Sequence, residues 1–169
     1  MAIKNFTTKI PSEKSIAEIE TILAKHGAKK ILKDYDGAEN IIAVSFMVTI
    51  DNQDIPFKLP IDLNAWIALL NKAVKEKKLA RRFENDAAQA RRIGWRVIKD
   101  WIDAQMALIE TKTVKLDQVF LPYIWDMRDD KTLYQKFVEN KSKFIALEEG
   151  EPSKQIRQNQ KSLDKGGTA

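Results

Sequence analysis

Residues 41 to 59 read IIAVSFMVTIDNQDIPFKL, and this stretch predicts a β-hairpin. Within Ile41–Ile50 large apolar residues recur at every second position, which is typical of a strand with one buried face. The residues on that face are Ile42, Val44, Phe46, Val48 and Ile50. Asp51-Asn52-Gln53-Asp54 joins this strand to a shorter one at Ile55–Leu59, so we expect antiparallel pairing. Pro56 and Pro60 place the shorter strand at a sheet edge.

The residues before this hairpin predict a helix and one more strand. Ile16, Ile19, Ile22 and Leu23 recur at helical spacing and indicate a helix over residues 13–26. Ser12 can cap this helix, Ser15 with Glu18 offers a capping-box alternative, and Gly27 ends it. A strand over 29–35 follows and ends at the turn signal Asp36-Gly37.

From Asp62 onward the pattern becomes helical. Asp62 caps a helix that runs to about Lys78, and a longer amphipathic helix follows over 85–111. At 100° per residue, one side of the long helix is apolar and should face the core. Its members are Ala90, Gly94, Val97, Ile98, Trp101, Ala104 and Leu108. The opposite side carries Arg92, Arg96 and Lys99.

Beyond the long helix, the segment Val119–Trp125 is rich in large apolar side chains and should pack over the core as a lid. A short helix is expected at 132–146. We therefore predict an α+β fold, in which a small three-stranded antiparallel sheet is packed by helices. A single domain should span residues 1–148, and the polar residues 149–169 should form a flexible tail.

The composition excludes several kinds of site. The chain has 169 residues, no Cys and one His, so thiolate sites and His-rich metal sites are excluded. No apolar run is long enough to span a membrane. His26 precedes Gly27 and should interact with the end of the first helix. We expect no cofactor, no resident metal, no catalytic residue, no membrane partner and a cytoplasmic location.

The excess positive charge is concentrated in one region. Residues 75–99 hold nine basic and three acidic side chains, whereas the rest of the chain is close to neutral. Such a cluster attracts polyanions. The residues predicted to bind nucleic acid or another partner are Lys75, Lys77, Lys78, Arg81, Arg82, Arg91, Arg92, Trp95, Arg96 and Lys99. Since no base-reading motif accompanies them, we expect backbone or single-strand binding.

Trp95 admits two interpretations. Its position between Arg91, Arg92 and Lys99, about 120° from Trp101 on a helical wheel, would suit a platform on which bases stack. Alternatively, it packs against the 119–125 segment or against a partner subunit. Asp100 and Asp103 share a helix face and could hold Mg²⁺ in a nuclease, but ion pairing with Arg96, Lys99 or the residues of the tail is the favoured interpretation.

The long-helix sequence RRIGWRVIKDWIDAQ (residues 91–105) is similar to a segment of small phage and prophage proteins. Residues 3–11, 56–60 and 119–123 show the same resemblance, which covers most of residues 3 to 137. It implies no catalytic residues. The setting that it implies is phage DNA metabolism, such as single-strand binding or annealing, or interference with a host defence system such as CRISPR.

Three functional hypotheses follow. The first is a nucleic-acid-binding protein of a phage or mobile element, located in the cytoplasm of an infected or lysogenic bacterial host. The second is an anti-defence inhibitor, similar to anti-CRISPR proteins, that binds a host nuclease complex. The third is a metal-dependent nuclease. Homo-oligomerisation is left open by the sequence.

Overall fold

The computed structural model describes residues 4–141 and has the predicted α+β fold, with a three-stranded antiparallel sheet packed by helices. The helices within this range are α1 (Ser12–Lys25), α2 (Leu63–Lys75), α3 (Ala87–Glu110), α4 (Leu116–Phe120) and α5 (Leu133–Glu139). The strands are β1 (Ala28–Tyr35), β2 (Ile41–Ile50), β3 (Gln53–Pro60), β4 (Trp125–Asp126) and β5 (Lys131–Thr132). Short 3₁₀ turns occur at Arg81–Phe83 and Leu121–Tyr123.

The chain divides into two units, residues 1–133 and 134–169, and the second is described only over 134–141. Those residues hold all of α5 except its first residue. The flexible tail predicted at 149–169 and the predicted domain boundary at residue 148 lie outside the described residues.

The sheet has the order β1-β2-β3, so β3 lies at an edge as its prolines predict. Phe46 of β2 pairs with Ile31 of β1 and with Phe57 of β3. β3 begins two residues earlier than expected because Asp51 and Asn52 alone form the hairpin turn. Both have positive φ, 48° and 63°, as a two-residue hairpin turn that matches the strand twist requires.

The core lies between the sheet and helices α1 and α3. Val44, Phe46 and Val48 of β2 are buried there as predicted, but Ile42 is exposed. Phe120 reaches this core and contacts Phe46 edge-on, with ring centroids 5.5 Å apart. The predicted lid segment therefore supplies a core residue.

The lid segment ends in β4, and the residues that follow it complete the β4–β5 hairpin. Ile124 bridges to Phe57 of β3, and Trp125 lies beside Lys58, whose Nζ is 5.0 Å from the ring centroid. Lys58 also pairs with Asp34 at 2.9 Å and Asp130 at 2.7 Å. These contacts hold the hairpin beside the sheet.

Two helix caps illustrate how local sequence sets the helix boundaries. The Asp62 carboxylate accepts a hydrogen bond from the Ala65 amide at the start of α2, as predicted. The predicted Ser12 cap of α1 is wrong, because Ser12 is the first helical residue and its hydroxyl donates to Glu13. Ser15 cannot act as the alternative cap, since it is buried within the helix.

Candidate nucleic-acid interface

An open cleft of about 640 Å³ lies where residues 7–9 pass the 3₁₀ turn at 81–83 and the first turns of α3. Its lining residues are Thr7, Thr8, Lys9, Arg82, Phe83, Asp86, Gln89 and Arg92. Three of these side chains are cationic and one is anionic. The single acid, Asp86, is the N-cap of α3, and its carboxylate accepts a hydrogen bond from the Gln89 amide at 2.8 Å. The lining is therefore suited to an anionic ligand.

Gln89 organises this cleft from beneath. The residue is only 4% exposed, and its side-chain amide nitrogen donates to the backbone oxygens of Phe6 at 2.6 Å and Thr8 at 3.2 Å. Its amide oxygen accepts two hydrogen bonds from Arg92, from Nε at 2.9 Å and from Nη2 at 2.7 Å. One buried amide thus fixes both the N-terminal segment and the guanidinium of Arg92.

The partner of Arg92 is neutral, which leaves the positive charge of this arginine uncompensated by a carboxylate among residues 4–141. A guanidinium has five N–H donors, and Gln89 accepts two of them. The remaining donors are available to a ligand such as a phosphate, which arginine binds in a bidentate fashion. Lys9 and Arg82, both exposed, add two positive charges to the lining.

Four more residues of the predicted basic cluster precede the cleft residue Arg82 in the sequence. Lys75, Lys77, Lys78 and Arg81 are exposed along the α2–α3 connection. Lys78 pairs with Glu76, and Arg81 lies 3.7 Å from Glu84. In the described part of the chain, no carboxylate forms an ion pair with Lys75, Lys77 or the half-buried Arg91. This connection retains a net positive charge.

The predicted ridge of Arg92, Arg96 and Lys99 is not continuous, and this part of the interpretation is wrong. Arg96 donates to Glu18 of α1 at 2.7 Å, and its side chain is 20% exposed. Lys99 pairs with Asp103 at 3.1 Å and its side chain is 16% exposed. Both cations are therefore neutralised locally. Only the N-terminal end of the ridge, at Arg92, keeps its charge.

The stacking-platform interpretation of Trp95 is also wrong. Trp95 is 0% exposed, and its indole nitrogen donates to the Ile41 backbone oxygen at 3.3 Å. The core face of α3 carries Trp95, Ile102 and Met106, so it is rotated from the predicted face. Leu108, which the prediction buried, is 41% exposed. Trp95, Ile102 and Met106 are seven and four residues apart, which is a helical spacing. The prediction missed this signal because it assigned only one apolar face to the helix.

The predicted nuclease carboxylates are engaged in ion pairs. Asp100 accepts a hydrogen bond from Asn5 at 3.1 Å and pairs with Lys4 at 3.1 Å. Burial alone would raise the pKa of the Asp100 carboxyl, but these hydrogen bonds and the charges of Lys4 and Arg96 hold its pKa below its usual value. Among residues 4–141, no group of three or more acidic or histidine side chains is placed to bind a metal ion. The geometry gives the nuclease hypothesis no support.

Sequence reasoning missed six residues of the cleft: Thr7, Thr8, Lys9, Phe83, Asp86 and Gln89. One signal was present in the sequence, since Gln89 adjoins Ala90 and lies one turn before Ile93 on the buried side of the helix. A buried amide needs hydrogen-bond partners, so its position indicated a polar contact with another segment. The identity of that segment, 83 residues earlier for Phe6, is visible only in the fold.

His26 occupies the expected place at the end of α1. One ring nitrogen, Nδ1, lies 2.7 Å from the Ile22 backbone oxygen, and the other, Nε2, lies 2.9 Å from Glu110 of α3. The residue joins the C-terminal ends of two helices, in agreement with the capping interpretation.

Comparison with known proteins gives no match: no family model matches the sequence, and no curated protein or solved structure is significantly similar to it. The resemblance to phage and prophage proteins remains an expectation. Within residues 4–141, none of the helices combines the length and apolar character needed to cross a membrane.

Proposed function

We propose that this chain binds nucleic acid through the phosphate backbone, with the cleft around Arg92 as the central contact. The observation that supports the proposal most is the neutral amide partner of Arg92. A carboxylate in the place of Gln89 would orient the guanidinium equally well but would cancel its charge. The amide orients Arg92 and leaves the charge available to a polyanion.

The surroundings of Arg92 extend the positive surface beyond a single phosphate. Lys9 and Arg82 line the same cleft, and Lys75 and Lys77 lie exposed on the α2–α3 connection. Exposed cations in the cleft and on the connection that precedes it are suited to more than one phosphate of a strand. Since the described residues carry no base-reading motif, we expect little sequence preference.

The setting that we propose is the DNA metabolism of a phage or mobile element, in the cytoplasm of its bacterial host. It rests on the resemblance of residues 3 to 137 to phage and prophage proteins. The chemistry of the cleft does not depend on this setting, so the binding test below is independent of it.

The test is equilibrium binding of fluorescently labelled single-stranded DNA or RNA over a range of salt concentrations. The wild-type protein should bind in the micromolar range or tighter at about 50 mM salt and weaken steeply as salt rises. Arg82→Gln combined with Arg92→Gln should weaken binding at least about tenfold and reduce the slope of log affinity against log salt by about 1 to 2.

The matched control is Lys14→Gln with Lys25→Gln, which removes the same charge from exposed positions of α1 outside the cleft. It should leave binding within about twofold of wild type. If both double variants weaken binding equally, the effect is that of net charge and the cleft is not the site. Absence of binding by the wild-type protein at low salt would refute the proposal and favour the inhibitor hypothesis, in which the cationic surface contacts an acidic face of a host nuclease complex.

A further inference from the structure

Phe83 is the one aromatic side chain in the cleft lining, and it packs against neither apolar core cluster of the described residues. It is partly exposed, and the guanidinium carbon of Arg82 lies over its ring at 5.0 Å from the centroid. An aromatic ring held outside the core is costly unless a contact covers it. In the free protein, Arg82 supplies that cover on one face of the ring.

The cations for a phosphate and the ring for a base therefore lie in the same cleft. Arg92 and Lys9 line the cleft together with Phe83, and the volume of about 640 Å³ is in the range of small-molecule sites. We propose that this cleft takes one nucleotide of a single strand, with its base stacked on Phe83 and its phosphate bound by Arg92 and Lys9. This inference rests on the proposed nucleic-acid binding and specifies which form of nucleic acid the cleft prefers.

The Phe83 ring becomes available to a base when Arg82 moves. Arg82 is exposed, and none of the carboxylates among residues 4–141 forms an ion pair with it. Its guanidinium can leave the ring and bind a phosphate when a base takes its place, or it can remain and stack on the other face of the base. In the first case Arg82 exchanges its cation–π contact with Phe83 for a charge-assisted hydrogen bond to phosphate; in the second case the base lies between the ring and the guanidinium.

The geometry favours a single strand over a duplex because a base can enter a cleft only when it is unpaired and unstacked from its neighbours. The duplex offers phosphates alone to this surface. We therefore expect single-stranded DNA to bind more tightly than a duplex of equal phosphate number, by the contribution of the stacked base. Phe83, and not the buried Trp95, carries this preference.

The experiment compares two labelled strands of about 12 nucleotides, one of thymidines and one in which every base is replaced by an abasic sugar, so that the phosphates are the same. Wild type should bind the thymidine strand about tenfold more tightly than the abasic strand. Phe83→Leu should remove most of this difference while leaving affinity for the abasic strand within about twofold. Phe83→Trp should retain the preference, which separates stacking from a structural role.

The outcomes separate failure of this inference from failure of the proposed function. If wild type binds both strands equally, or if Phe83→Leu keeps the full preference for thymidine, the nucleotide site is refuted while backbone binding stands. If Phe83→Leu weakens both strands alike, the ring supports the cleft without contacting a base, and the inference again fails. If wild type binds neither strand, both proposals fall together. Circular dichroism spectra of Phe83→Leu and Phe83→Trp should match that of wild type, which shows that both variants are folded.

Discussion

The two tryptophans of α3 should contribute very differently to stability, and in the order opposite to the one the helical wheel predicts. Trp95 is fully buried, and its indole nitrogen is bonded to the Ile41 carbonyl. Trp101 is partly exposed and contacts Phe120 and Tyr123, at centroid distances of 5.4 and 5.6 Å. Trp95→Ala should lower the free energy of unfolding by about 3–5 kcal/mol, as for a large aromatic side chain that leaves a cavity.

Trp101→Ala should lower the free energy of unfolding by less, because part of the Trp101 side chain is already in contact with water. About half the cost for Trp95 is expected, since the transfer free energy scales with the apolar area buried. Trp95→Phe keeps most of the volume but loses the hydrogen bond, so it should cost about 1–2 kcal/mol. The three variants together separate cavity formation from the loss of the hydrogen bond.

Urea denaturation followed by far-ultraviolet circular dichroism measures these differences without relying on the fluorescence of the four tryptophans. Since small domains have a total stability of about 5–15 kcal/mol, Trp95→Ala should move the midpoint far to lower urea. The reasoning is refuted if Trp101→Ala is more destabilising than Trp95→Ala. A Trp95→Ala protein with an unchanged midpoint would equally show that the indole is accessible, as a stacking platform requires.

Two more changes test the packing and the ion pairs of α3. Gly94→Ala would place a methyl group 2.5 Å from Ile61 Cδ1 and 2.9 Å from Trp66 Nε1, so it should lower the free energy of unfolding by about 1–3 kcal/mol in urea denaturation; a neutral effect would show that these two side chains move aside without cost. Asp100 has a lowered pKa in the folded state. Its ionised carboxylate therefore stabilises the folded protein fully above the pKa of the unfolded chain, near 4, and this stabilisation is lost as pH falls through the lower pKa of the folded state. Asp100→Asn should therefore reduce stability at neutral pH and flatten the acid loss measured between about pH 5 and 2; an unchanged acid profile would contradict this assignment.

The fold was predictable where local patterns are strong. The strand at Ile41–Ile50 and the Asp62 cap of α2 both depend on neighbours in the sequence, and the structure confirms both, although the burial along the strand does not strictly alternate. The prediction for the buried face of α3 is wrong because this helix contacts α1, α2 and the sheet. A helix surrounded on several sides buries more than one stripe, and a wheel that assumes a single face then assigns Trp95 to the wrong side.

The site was predictable only as a region. Residues 81–92 belong to the charged cluster that the sequence indicates, but Lys9 and the two threonines reach the cleft through the fold. The contact that brings them there runs from Gln89 to the carbonyls of Phe6 and Thr8. Nothing local in the sequence of residues 4–10 indicates an association with α3.

Arg92 and Arg96 show why the positions of basic residues along a sequence do not by themselves locate a binding surface. The two arginines are one helical turn apart and are equivalent in the sequence pattern. In the fold, Arg96 meets the carboxylate of Glu18, 78 residues away, whereas Arg92 meets the amide of Gln89 three residues away. A carboxylate partner cancels the field that would attract a polyanion, while an amide partner only orients the guanidinium. The attraction for phosphate should therefore be centred on the N-terminal turns of α3, where an arginine is both held in place and still charged.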